Sequence, residues 1–269
     1  MNSSAIGVFD SGLGGLTAVK ELIKILPNED IVYFGDTGRV PYGTRSRETI
    51  INYARQDLRF LASHNIKIAL VACGTISAVA LDTLKSEHEF EVVGVIESAA
   101  RAAASRTKNK KVAVLGTGAT IKSGAYERAL KAIDPSIETI GVACPLFVPL
   151  VENGHIGEGD PITKEAVKLY LSRVAEFGAD TVIMGCTHYP LIAKAIGDFV
   201  GEDVLLINPG REAARAVKDL LLDADMLGQS NGNHRFYVSD SVDNFETLGS
   251  MFIKQSINGE VAKIDIEKY

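Results

Sequence analysis

Short apolar runs alternate with longer amphipathic stretches along almost the whole chain. Nine of these runs have the length and unbroken apolar character of strands buried on both faces. In the first half they are "AIGVFD", "DIVYFGD", "KIALVAC" and "EVVGVIE". "KVAVLGT", "IETIGVAC", "TVIMGC", "DVLLINP" and finally "HRFYVSD" follow. Between them, "GGLTAVKELIKIL", "SRETIINYARQDLRFLASH", "SGAYERALKAI", "ITKEAVKLYLSRVAEFG" and "GREAARAVKDLLLDA" carry apolar residues at helical spacing. Apolar strands separated by helices predict the α/β class, with mainly parallel sheets flanked by helices.

The order of elements also repeats. "IGVFDSGLGG" corresponds to "VAVLGTGATI", and "IVYFGDTGRVPYG" to "IGVACPLFVPLVENG", each of the latter two a strand followed by a long Pro-containing loop. "ALVACGT" corresponds to "VIMGCTH" and "VVGVIES" to "VLLINPG", at nearly constant offset. The repeat predicts two similar α/β domains, although short α/β units also resemble one another by chance. A helix, a strand and a helix remain after "VLLINPG", more than the second half needs. The expected division is therefore a discontinuous first domain, residues 1–98 plus 208–269, and a second domain, residues 99–207. Crossovers at residues 98–110 and near Asn208 would let the halves hinge about an active site in the interdomain cleft.

In open parallel sheets, ligands bind beyond the carboxyl ends of the strands. Those ends present Asp10 and Ser11, then "DTGRVPYG" with Tyr42 and Gly43, then Cys73, Gly74 and Thr75, then Glu97. In the second half they present Thr117, Gly118 and Thr120, then Cys144 and Glu152, then Cys186, Thr187 and His188. Cys73 and Cys186 stand where a strand gives way to a helix, whose unpaired N–H groups favour a thiolate. They occupy equivalent places in the two halves, so they are expected to face each other across the cleft. Cys144, beside Pro145, has no comparable polar company and is expected to serve packing.

Composition narrows the setting. The 269 residues are 46% hydrophobic and 23% charged, an ordinary soluble mix with ample material for a core. A net charge of −6 argues against a dedicated nucleic-acid binder, and "RTKNKK" reads as a solvated turn. No stretch approaches the roughly 20 apolar residues of a membrane span, and the N-terminus does not read as a signal peptide. Three cysteines, odd in number and far apart, predict free thiols and a cytoplasmic location.

Several chemistries fit these residues. Zinc would need two Cys, one His and a carboxylate, but there is no C-x-x-C pair and Cys186 with His188 is poorly spaced for chelation. A Cys-dependent hydrolase would leave the second matched thiol idle. A binding module for an acidic metabolite is a third alternative. "DSGLGGLTAV" and "GTGAT" could hold a carboxylate on backbone N–H groups, yet neither is a Walker A or G-x-G-x-x-G sequence. No cofactor is therefore expected. Two opposed thiols suit inversion of a stereocentre: one removes a proton and the other delivers one to the opposite face. Asp10 would assist one thiol and His188 the other.

"GVFDSGLGGLTAV", "YFGDTGRVPYG", "ACGT", "ATIKSGAY", "ACPLFVPLVE" and "GCTHYPL" together resemble the glutamate racemases of the cofactor-independent aspartate/glutamate racemase superfamily. The resemblance runs along nearly the whole chain, and His188, where aspartate racemases usually carry Glu, favours glutamate over aspartate. It implies that Cys73 deprotonates the D isomer and Cys186 the L isomer. Asp10 and His188 would be auxiliary groups, with Glu152 supporting His188. Substrate contacts would come from Asp10, Ser11, Tyr42, Gly43, Gly74, Thr75, Thr117, Thr187 and His188. A homodimer supplying D-glutamate for peptidoglycan is also implied, with no metal, membrane or nucleic-acid partner. The chain departs from the family pattern at Gly74 (usually Asn), at Ser98-Ala99 (usually Pro-Gly, read as a turn) and at Asn208 (usually Asp).

Overall fold

A computed structural model describes residues 4–230, 232–253 and 261–269. Each of the nine apolar runs forms a strand. The first four are β1 (Ala5–Asp10), β2 (Ile31–Gly35), β3 (Ile66–Val71) and β4 (Glu91–Gly94). The next four are β5 (Lys111–Gly116), β6 (Glu138–Ala143), β7 (Thr181–Met184) and β8 (Leu205–Ile207). β9 (His234–Val238) follows, and β10 (Val261–Lys263) has no counterpart among the predicted strands. Three residues, "VAK", are too few to show a strand period.

The strands form two parallel sheets, ordered β10-β9-β2-β1-β3-β4 and β6-β5-β7-β8. The orders β2-β1-β3-β4 and β6-β5-β7-β8 match strand for strand, as the sequence repeat requires. β9 pairs with the outer edge of β2, so the C-terminal segment does return to the first sheet. This is the α/β class expected, in two similar halves.

Successive side chains of a strand point to opposite faces, and the first sheet shows the consequence. Ile6 and Val8 of β1 belong to one core, while Ala5 and Phe9 belong to another on the opposite face. The first of these cores runs on into the second sheet, through Val112, Val114 and Ile183. The helix Val95–Arg106 lies at that junction and contributes Ala99, Ala100 and Ala103, all fully buried. Small side chains let it sit close to its neighbours, which explains the run "SAARAAAS".

That helix corrects two expectations. β4 stops at Gly94, so Glu97 is not a strand-end residue; it is half-exposed on the helix and 3.5 Å from Lys85. Ser98 and Ala99 are helical and buried rather than a turn. The first crossover is thus a helix, and the second is the helix Pro209–Asp223 that follows β8. Asn208 caps it by accepting a hydrogen bond from the Arg211 N–H at 3.3 Å, a duty Asn and Asp perform alike. After β6 the expected long loop is instead a short turn and the helix Phe147–Glu152. Among the described residues, no helix is long and apolar enough to cross a membrane.

Candidate active site

Loops at the carboxyl ends of β1, β2 and β3 meet those of β5, β6 and β7 around one cavity of about 340 Å³. Small-molecule sites start at about 300 Å³. Of the residues singled out from sequence, Ser11, Tyr42, Gly43, Cys73, Gly74 and Thr75 line it from the first half. Thr117, Glu152, Cys186, Thr187 and His188 line it from the second. Asp10 does not: it ends β1 with 1% exposure and sits behind the lining.

The two sets of loops touch directly. Thr17 Oγ1 donates to the Thr187 carbonyl at 2.8 Å, and the Thr75 and Thr117 hydroxyls are 2.9 Å apart. Thr117 also caps the helix Gly118–Ser123, accepting from the Thr120 N–H at 3.3 Å. Two glycines make the approach possible. A Cβ on Gly14 would collide with Thr187 Oγ1, and one on Gly74 with the carbonyl oxygen of Gly185. Gly74 therefore lets the turn after β3 rest against the turn after β7, where any side chain would push them apart.

At the β3 end, Cys73 precedes the helix Gly74–Val79 and is 6% exposed. Its Sγ donates to Ser11 Oγ at 3.5 Å. Burial, reinforced by the charge of Asp10, pushes this thiol up to about 12, although its hydrogen bonding with Ser11 and with the Ile76 N–H favours the thiolate. The expectation that a helix N-terminus would favour the thiolate here is overturned: one short helix does not offset desolvation beside a carboxylate. Burial likewise raises the Asp10 carboxyl above its ordinary range. It does so although His188 and hydrogen bonds from the Gly15 N–H, the Gly12 N–H (3.0 Å) and Thr187 Oγ1 (3.5 Å) favour the carboxylate.

The β7 end is built differently. Cys186 is half-buried, and a 3-10 turn, Tyr189–Ile192, separates it from the α-helix Ala193–Val200. Its Sγ lies 3.8 Å from His188 Nδ1, and His188 Nε2 lies 2.9 Å from Glu152 Oε1. Burial disfavours a charged imidazole, but the hydrogen bonds to Cys186 and Glu152 outweigh it and lift His188 to about 10. Both ring nitrogens then carry protons, one directed at sulfur and one at carboxylate. Phe252 packs edge-on against the ring at 5.3 Å.

Among the described residues no Lys or Arg side chain lines the cavity, and His188 is the cationic group of that lining. Val40, Pro41, Pro145, Val148 and Pro149 supply an apolar wall to which sequence reasoning gave no role. Apolar and proline residues inside strand-end loops, "RVPYG" and "CPLFVP", were the signal available. Cys144 is buried as expected, its Sγ donating to the Val142 carbonyl at 3.5 Å, yet it also forms part of this wall. Tyr42 lines the cavity while its hydroxyl is held by the buried carboxyls of Asp36 and Asp57. Among the described residues, no group of three His, Cys, Asp or Glu side chains is placed to hold a metal ion.

Comparison with known proteins bears on this arrangement. The sequence matches the Asp/Glu/Hydantoin racemase family over residues 11–217. It is 45% identical to a glutamate racemase of Geobacter metallireducens, covering 98% of this chain and 97% of that protein. The structure superposes on a glutamate racemase isoform from Bacillus anthracis with a TM-score of 0.94 at 36% identity, over 98% of this chain and 99% of that one. It also superposes on the Francisella tularensis glutamate racemase, solved with D-glutamate, with a TM-score of 0.92 at 38% identity over the full length of both. With more than half its length matched and relatives this similar end to end, the chain belongs to the Asp/Glu/Hydantoin racemase family.

Proposed function

We propose that this chain is a glutamate racemase, interconverting L- and D-glutamate by proton transfer between two thiols without a cofactor. The observation that carries the reading is the pair Cys73 and Cys186, at equivalent strand ends of the repeated halves and lining one small cavity. The names of the relatives and the D-glutamate in the Francisella tularensis structure support glutamate as the substrate.

In each turnover, one cysteine thiolate takes the α-proton and becomes a thiol. The opposite thiol gives its proton to the other face of the α-carbon and becomes a thiolate. The C–H bond broken on one face is replaced by one on the other, and the two sulfurs have exchanged protonation states, ready for the reverse reaction. We assign Cys186 to the α-proton of the L isomer and Cys73 to that of the D isomer. Imidazolium His188, oriented by Glu152, balances negative charge on Cys186, and Asp10 is the auxiliary group for Cys73. Ser11, Gly43, Gly74, Thr75, Thr117 and Thr187 offer hydroxyl or backbone donors to the carboxylates, which suits a cavity whose described lining has no Lys or Arg.

Residues 1–98 with 208–269, and 99–207, would move as two bodies, opening the cavity for exchange of glutamate. The same reading places the enzyme in the cytoplasm, as a homodimer supplying D-glutamate for peptidoglycan. Circular dichroism of purified protein with L- or D-glutamate, and no added cofactor, tests it. Both isomers should decay to the racemate; no change from either would refute the activity.

A further inference from the structure

Beneath the loop of residues 40–44, which forms one wall of the cavity, lies a buried charged cluster that the proton transfer itself does not use. Asp36, just past β2, and Asp57, on the helix Arg47–Ala62, both have fully buried side chains. Arg39 reaches both, with Nε 2.6 Å from Asp36 Oδ2 and Nη2 3.0 Å from Asp57 Oδ1. Its guanidinium also stacks on Tyr53 at 4.1 Å, and its Nη1 lies 2.5 Å from Gln56 Oε1 and 3.3 Å from the exposed Glu267. Tyr42 places its hydroxyl between the carboxyls, bonded to Asp36 Oδ2 and 3.2 Å from Asp57 Oδ2.

Two buried carboxyls therefore share one guanidinium and one phenol, and the hydrogens can be assigned. Asp36 Oδ1 accepts from Ser239 Oγ at 2.7 Å, and its Oδ2 accepts from Arg39 and Tyr42. Asp36 thus accepts three hydrogen bonds, two of them on Oδ2. Asp57 Oδ1 accepts from Arg39, and its Oδ2 meets the Tyr42 oxygen at 3.2 Å; Tyr42 has one hydrogen for two carboxyls, and we give it to the nearer, Asp36. Two facing acceptors with no hydrogen between them would repel, so a proton belongs on Asp57 Oδ2.

We propose that Asp57 holds this proton, donates it to Tyr42, and is thereby a positioning residue for the 40–44 wall of the substrate cavity. The chain of donors then runs from Asp57 to Tyr42 to Asp36 with every hydrogen used. Burial, and after it the charge of Asp36, hold the Asp57 carboxyl well above the usual carboxylate range, in keeping with this assignment. Ser239 ties the C-terminal segment into the same cluster, since its Oγ accepts from the Gly38 N–H at 2.8 Å. The consequence for catalysis rests on the racemase reading, whereas the positioning itself does not.

Hydrogen–deuterium exchange over residues 40–44 in ligand-free protein, alongside KM and kcat for glutamate, tests the assignment. Asn at position 57 keeps the acceptor for Arg39 and supplies an N–H where the acid proton stood. Asp57→Asn should leave loop exchange and KM within about twofold of wild type, and Asp57→Leu should raise both by about tenfold with a smaller change in kcat. Asp36→Asn, which sets an amide N–H against Arg39 or Tyr42, should be worse than Asp57→Asn. If Asp57→Asn behaves like Asp57→Leu or is worse than Asp36→Asn, the proton is not on Asp57. Unchanged exchange in Asp57→Leu would end the positioning role. Should Asp57→Leu not fold, the two Asn variants still decide. The exchange readings need no substrate, so they stand even if glutamate proves not to be turned over.

Discussion

The β3 and β7 ends of the cavity descend from the same repeat, yet they surround their thiols with opposite electrostatics. Cys73 is buried beside Asp10 and pushed up to about 12, a setting that favours the neutral thiol. Cys186 is half-buried beside an imidazole lifted to about 10, which stays cationic across the neutral range. Equivalent backbone positions thus set where the sulfurs sit, and their neighbours give each a different surrounding charge: a buried carboxyl at one end and a cationic imidazole at the other. In the two-thiol reading each end must serve as donor in one direction and as acceptor in the other, and each has its own auxiliary group for that exchange.

The largest expected effect comes from removing either sulfur. Cys73→Ser and Cys186→Ser should each lower racemisation by about 10²–10⁴-fold in both directions, since a general acid and a general base are both needed. Steady-state rates from each isomer check this, and wild-type turnover in either variant would show that the two ends are not partners.

Exchanging the auxiliary groups sharpens the contrast. Asp10→Asn and His188→Asn should each cost about 10–100-fold. Enantiomers have equal free energy in water, so kcat/KM must fall equally in the two directions for any variant. The asymmetry can appear only in kcat and KM taken separately. For His188→Asn, kcat should fall more from L-glutamate; for Asp10→Asn, more from D-glutamate. Identical changes from both isomers would mean that the two groups do not serve different thiols.

The smallest effect is a shift in pH dependence. His188 carries its charge below about 10 and loses it as pH rises through that value. Glu152 is one of the partners that hold it there, at 2.9 Å. Glu152→Gln should move the alkaline fall in activity downward by about one pH unit, with activity near neutrality changed little. An unmoved alkaline limb would remove His188 from the chemistry at the β7 end.

Much of this contrast was legible in the chain. The apolar runs located nine strands because buried parallel strands need no polar alternation, and the repeat matched Cys73 with Cys186, which both line the cavity. What stayed hidden depends on distance rather than pattern. A helix N-terminus after "VAC" suggested a favoured thiolate, but only the fold brings Asp10 against Cys73 and shuts water out. "GVIESAA" read as strand and turn because Val and Ile suit strands, whereas packing between the halves selects helix from Val95 onward. In the sequence Gly74 stands only as a departure from the family's usual Asn, and the structure gives it a meaning: it is where one turn rests on the carbonyl of Gly185. Asp57 reaches Asp36, Arg39 and Tyr42 only through the fold, so the proton we place on it has no sequence signature.

The central claim, that two thiols act from opposite faces, is tested most directly by racemisation in deuterium oxide. Starting from L-glutamate, the D-glutamate formed at early times should carry solvent deuterium at the α-carbon while the remaining L-glutamate keeps its protium, and the reverse should hold from D-glutamate. Early product that retains the substrate's own α-hydrogen would mean that a single base serves both faces, and would contradict the account.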